Sequence, residues 1–234
     1  MLPILILYVA KKFGFKIPES RKTEAFKKLC FKILVLIILT IVVKGNASAF
    51  TCTINTNEVK KLMVFNVLKN DKIIGTIEIE KHESENTITY HLNSEIKTNF
   101  ILKFKIIGKE TYVFKNGILE YSSLFRKVND KVKVDQSLVY ENGDYHLKKS
   151  DKDLALDLEA IQQNLITLYF QEPKNTKTVY CDNQSEMLDI QNIRDGVYKV
   201  NFSSNKYNIF YYENGKCVKI EAVSPIFNVT LIPS

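Results

Sequence analysis

The sequence predicts an all-β fold: an antiparallel meander of about twelve strands curled into a half-open or lipocalin-like barrel, with one short helix packed on the concave side. Three observations carry this. From Leu62 onward apolar and polar residues alternate with a period of two, as in strands with one buried face. Turn-forming pairs recur at hairpin spacing: Asn70-Asp71, Asn116-Gly117, Asn129-Asp130, Asn142-Gly143, Asp195-Gly196 and Asn214-Gly215. Only one stretch, Ile161–Pro173, breaks the alternation. A two-sheet sandwich is the nearest rival fold.

The alternation can be followed strand by strand. Met63, Phe65 and Val67 share a face, and Ile77 and Ile79 point inward between Thr76, Glu78 and Glu80. Ile88, Tyr90, Leu92 and Ile96 take one side of the next strand, and Leu102, Phe104 and Ile106 continue the pattern. Gly108 interrupts that strand and is expected to mark a bulge. Further inward candidates are Tyr121, Phe125, Val132, Val134, Leu138, Tyr140, Tyr145 and Leu147. Beyond the interruption, Thr176–Cys181 and Met187–Ile190 form a short pair. They are followed by strands carrying Tyr198, Val200 and Phe202; Tyr207, Ile209 and Tyr211; Val218, Ile220 and Ala222; and, after Ser224-Pro225, Phe227, Val229 and Leu231.

The interruption reads as a helix near Ala160–Phe170. Leu154, Leu158, Ile161, Leu165 and Leu168 step by four, three, four and three, which puts them on one helical face. Pro173 cannot continue a helix and pushes Glu172 towards an extended backbone.

The first 49 residues read as a targeting segment. Arg21, Lys22, Lys27, Lys28 and Lys32 flank the apolar run Ile33–Val43, which is short for a membrane span. Ala47-Ser48-Ala49 has the small-x-small pattern of a signal-peptidase site, so export to the periplasm or beyond is expected, with cleavage after Ala49 and no stable span in the mature chain. Met1–Ser20 precedes the usual start of such a signal. It is expected to be an untranslated extension, the alternative being an unusually long basic region.

Charge supports the division. Residues 1–49 hold 9 basic and 2 acidic side chains, a surplus that equals the whole net charge of +7. Phe50–Ser234 is left with 24 of each sign, in a single domain large enough for a sizeable core. A nucleic-acid binder would carry its basic excess in the folded domain, so that class is set aside.

Catalytic signatures are absent. There is no GxSxG elbow, phosphate loop or GxGxxG. His82, His91 and His146 fall on polar strand faces without metal-ligand spacing, so neither metal nor cofactor is expected. The lack of tryptophan argues against a carbohydrate-stacking platform. Cys52, Cys181 and Cys217 remain after cleavage; Cys181 and Cys217, both in the later hairpins, are the candidate disulfide.

The mature chain resembles an uncharacterised family of exported bacterial proteins, a domain of unknown function. The resemblance rests on Phe65-Asn66-Val67 with Ile74-Gly75-Thr76, on Leu168-Tyr169-Phe170-Gln171-Glu172-Pro173, and on Tyr211-Tyr212-Glu213-Asn214-Gly215. It covers residues 60–233 and implies export and a β-rich fold, with no activity attached. Where similar proteins have Ser-Glu and then Phe-Gly, this chain has Cys181-Asp182 and Gln184-Ser185.

The function expected from the residues is non-catalytic: binding of an apolar or lipid-like envelope molecule in a curved-sheet cavity. The expected lining is Tyr90, Phe104, Tyr121, Tyr169 and Phe170, more aromatic surface than one helix covers. The alternative is an envelope scaffold or protein-interaction module with a filled core.

Overall fold

The computed structural model describes residues 59–98, 104–150, 152–225 and 227–234. The targeting segment and Cys52 lie outside them. Fourteen strands follow one another: β1 (Val59–Lys69), β2 (Lys72–Ser84), β3 (Thr87–Thr98), β4 (Phe104–Lys115), β5 (Ile118–Val128), β6 (Lys131–Glu141), β7 (Asp144–Lys149), β8 (Lys152–Leu156), β9 (Thr178–Cys181), β10 (Glu186–Arg194), β11 (Val197–Ser203), β12 (Lys206–Glu213), β13 (Lys216–Val223) and β14 (Val229–Pro233).

All pair antiparallel in one sheet, in the order β8-β7-β6-β5-β4-β3-β2-β1-β14-β13-β12-β11-β10-β9. The chain is thus two meanders, joined where β1 pairs with β14. The predicted turns account for the hairpins. Asn70, Asp71, Asn116, Asn129, Asp130, Asn142 and Asn214 all take positive φ, which short amide and carboxylate side chains tolerate, and Gly117, Gly143, Gly196 and Gly215 do the same.

The sheet does not close. β8 and β9 end it without pairing with each other, yet it curls far enough to bring distant strands together. Ser122 of β5 hydrogen-bonds Asp182 just after β9. The core lies on the concave side and is built on Phe65, Ile79, Leu119, Leu138, Tyr145, Tyr180, Phe210 and Ile220.

The segment between β8 and β9 differs most from expectation. It contains no α-helix; its one helical turn is the 3-10 turn Thr167–Tyr169. Leu154, read as part of the helical face, belongs to β8 opposite Leu147 and is 47% exposed. Ile161 and Leu168 are buried as expected, and so is Ile166, which lay outside the expected face, but all three project from an irregular strip laid across the concave face.

The physical reason is where the strip's main chain finds its partners. Leu119 donates its N–H to the carbonyl of Ile161, Leu165 donates to Tyr180, and Tyr180 donates to Gln163. The strip thereby covers the edge of β9, a sheet edge that otherwise stays unpaired. Over Ile161–Leu165, bonds to the sheet replace the local i to i−4 bonds of a helix.

Four further expectations are corrected. At the turn from β4 to β5, Val113 pairs with Tyr121 but Phe114 with Leu119, leaving Glu120 as an extra residue. This bulge reverses the alternation, so Ser122, Leu124 and Arg126 point inward, and Tyr121, at 37% exposure, faces out with Phe125. A second bulge, at Lys133, leaves Val132 exposed. Gly108, in contrast, is in register with Ser94 and Arg126. It serves close approach: a Cβ there would lie 2.5 Å from Ser94 Oγ. In β12 the apolar residues run on both faces, and Phe210 and Tyr212 are the buried pair rather than the Tyr207 side.

Candidate functional site

A cavity of about 660 Å³ opens between the concave face and the strip. Its apolar wall comes from Ile77 and Leu92 of the first meander, Leu165, Ile166 and Tyr169 of the strip, and Phe202 and Phe210 of the second meander. Its polar wall comes from Glu110, Tyr112, Arg126, Asp182, Asn183 and Gln184. Ser94, Ser203, Lys206 and Asn208 complete the lining. Among the described residues no group of His, Cys, Asp and Glu is placed to hold a metal ion.

The polar wall is an ordered network. Glu110 and Tyr112 are two apart on β4 and so share its inward face. Tyr112 donates its hydroxyl to Glu110 Oε2 at 2.7 Å. Arg126 Nη2 donates to Glu110 Oε1 at 3.2 Å, and Arg126 Nη1 donates to Asn183 Oδ1, also at 3.2 Å. Burial, with the Glu110 charge beside it, holds the Tyr112 hydroxyl well above the usual phenol range, so it stays a donor.

Asp182 stands deeper, at 6% exposure. Ser122 donates to its Oδ1 at 2.6 Å, and Gln136 donates to its main-chain carbonyl at 2.6 Å. Asn164 Nδ2, from the strip, lies 3.5 Å from Oδ2. No cation pairs with Asp182 among the described residues, because Arg126 is committed to Glu110 and Asn183. Burial therefore pushes the Asp182 carboxyl up to about 7; the Ser122 hydrogen bond opposes the shift and the Glu110 charge adds to it.

This has a consequence for stability. The native state keeps the Asp182 proton to about pH 7, whereas an ordinary carboxyl loses it near 3.8. Between those values the unfolded chain binds fewer protons than the native one, so stability falls as pH rises through the window and stays lowered above it. Asp182→Asn retains an acceptor for Ser122 and abolishes the penalty. Its melting temperature is expected to exceed the parent's by roughly 5–10 °C at pH 8, with the gain shrinking towards pH 4. Equal gains at both pH values would contradict the assignment.

The sequence-derived site residues are dispersed. Tyr169 lines the cavity, with its ring edge-on to Phe65 at 5.3 Å and to Phe210 at 6.3 Å. Phe170, half-buried at the margin of the core, packs on the buried Tyr90 at 5.1 Å, with Phe114 behind. Phe104 packs on Phe227 at 5.2 Å, and Tyr121 is on the outer face. The candidate disulfide is not formed. Cys181 and Cys217 are both free and buried, and β9 and β13, which carry them, are separated in the sheet by β10, β11 and β12. Burial raises the Cys181 thiol to about 11 and the Cys217 thiol to about 12, so both stay protonated and unreactive.

Residues 65–234 match the family described as a domain of unknown function (DUF6134). The chain belongs to this family. A solved structure similar to it is the crystal structure of a beta-barrel-like protein of domain of unknown function DUF1849 from Brucella abortus. The identity is 13%, the match covers 76% of this chain and 95% of that chain, and the TM-score is 0.45. No curated protein matches the chain. Among the described residues no helix is long and apolar enough to cross a membrane.

The network was partly within reach of the sequence. Glu110 falls in phase with Phe104, Ile106, Tyr112 and Phe114, and a carboxylate on an inward phase is a signal in itself. Ser122 and Arg126 were hidden by the bulge, and Asp182 by its place in a turn.

Proposed function

We propose that this protein is an exported, non-catalytic binder of a small amphipathic molecule of the cell envelope. The observation that carries the reading is the cavity between the sheet and the strip. Its volume falls in the range of about 300–1,000 Å³ typical of small-molecule sites, and it sets an apolar wall against a hydrogen-bonded polar one. Such a division suits a molecule with an apolar body and a polar group better than a wholly apolar lipid. Support for export is the basic flank, the apolar run Ile33–Val43 and the Ala47-Ser48-Ala49 pattern.

Native mass spectrometry of protein purified from its own envelope tests this. A co-purifying small molecule is expected, lost in Asn208→Phe, which adds a ring at a half-buried lining position. Protein that is free of adduct, together with an N-terminus beginning at Met1, would favour an anchored scaffold instead. The exposed outer edge of β8, with Leu154 upon it, is what a scaffold would use.

A further inference from the structure

We propose that the cavity selects an amphiphile whose polar group is a cation, a primary ammonium or similar nitrogen base, and that Asp182 is the residue that pairs with it. This rests on the reading of the cavity as a binding site.

The argument is one of charge balance. Two carboxyl groups, Glu110 and Asp182, line the cavity, and a single guanidinium, Arg126, lies between β5 and the Asn183 turn. Arg126 neutralises Glu110. Lys206, the other cation of the lining, is exposed, where water screens it. The remaining groups near Asp182 are Tyr112 of β4, Tyr180 and Cys181 of β9, and none of them supplies positive charge. Below neutral pH, a carboxyl group more than nine-tenths buried, at the wall of a ligand-sized cavity and without a counter-ion, holds its proton until a cation arrives.

Asn164 is built for both states. Its Oδ1 has no hydrogen-bond partner among the described residues. With the amide turned over, that oxygen faces the Asp182 proton; in the orientation shown, Nδ2 faces the bare carboxylate. The step balances simply: the ligand enters as its ammonium form, Asp182 forms an ion pair with it, and one proton passes from Asp182 to the buffer.

Calorimetric titration with octylammonium, octanol and octanesulfonate, whose charges are constant from pH 5 to 8.5, tests the proposal. Octylammonium is expected to bind most tightly. Its affinity should rise about tenfold per pH unit between pH 5 and 6 and level off above about pH 8. Buffers of different ionisation enthalpy should show close to one proton released per ligand at pH 5.5. In Asp182→Asn, with its fold verified by circular dichroism, the slope and the proton release should vanish and the affinity at pH 8 should fall at least tenfold. Tighter binding of octanesulfonate or octanol, or an unchanged slope in Asp182→Asn, would overturn the cation assignment while leaving the cavity intact. Failure of all three probes to bind would remove the cavity reading as well.

Discussion

Replacing Gly75 with alanine is expected to be the most damaging single methyl addition in the domain. Gly75 lies in β2, opposite Val67 of β1 and Ile96 of β3. The β1–β2 register slips beside it, so Ile74 is an extra residue against β1 and is turned into the core. That slip presses β2 onto β3. A Cβ on residue 75 would stand 2.1 Å from the Glu95 carbonyl oxygen and 2.7 Å from Ile96 Cα. Both are backbone atoms within a ladder, so no rotamer change relieves the contact, and relief requires breaking the β2–β3 pairing. The cost should reach at least about 4 kcal/mol, a large share of a domain's stability. The expected result is insoluble protein or a melting temperature lowered by more than about 10 °C. A melt within about 3 °C of the parent would show that β2 and β3 can separate at this point without loss.

Gly75 illustrates what the sequence does and does not disclose. The turn pairs were legible because Asn-Gly and Asn-Asp act locally: their backbone preference needs no knowledge of the rest of the chain. The faces of β1 and β3 were legible because each has a single unbroken alternation, and that of β2 was legible beyond the slip at Ile74; Phe65, Ile79, Tyr90 and Leu92 are buried as that phase requires. Bulges are another matter. A residue added at Glu120 changes which of Tyr121 and Ser122 faces inward, and nothing in the local residue types announces it. The cavity's polar wall inherits that difficulty, since Ser122 and Arg126 point inward only because of the bulge.

The strip misled for a different reason. Its leucines and isoleucines are indeed core residues, and their spacing is helical. Periodicity reports which side chains are buried, but the backbone path between them is settled by the hydrogen-bond partners available. Here the partners are the uncovered edge of β9 and the bulged start of β5, both assembled from segments distant in sequence. Asp182 belongs to the same class: it has neighbours from β5, β6 and the strip, and its chemistry exists only when all three meet.

Tyr145→Phe should release the strip. Tyr145 of β7 is fully buried, and its hydroxyl joins two main-chain groups. It donates to the carbonyl of Leu119 at 3.0 Å and accepts from the N–H of Ile161 at 2.9 Å. Leu119 N–H donates directly to the Ile161 carbonyl at 2.8 Å, so the three residues form one closed set of bonds pinning the strip to β5. Removing a single oxygen leaves a buried carbonyl and a buried N–H without partners, and neither can reach water. Each orphan costs about 1–3 kcal/mol, so a loss of about 2–4 kcal/mol is expected, with a melting temperature about 6–12 °C lower. Tyr212→Phe provides the comparison, because that hydroxyl serves only the Leu168 carbonyl, at 2.6 Å, and its loss should cost roughly half as much. Hydrogen exchange locates the effect. In Tyr145→Phe the amides of Ile161 and Leu165 should exchange at least tenfold faster, while those of Phe65 and Val67 in the paired strands slow down or speed up only with global stability. Uniform acceleration across the sheet and strip would mean that Tyr145 supports the whole core equally, and the cavity's strip wall would then have no independent anchor on β7.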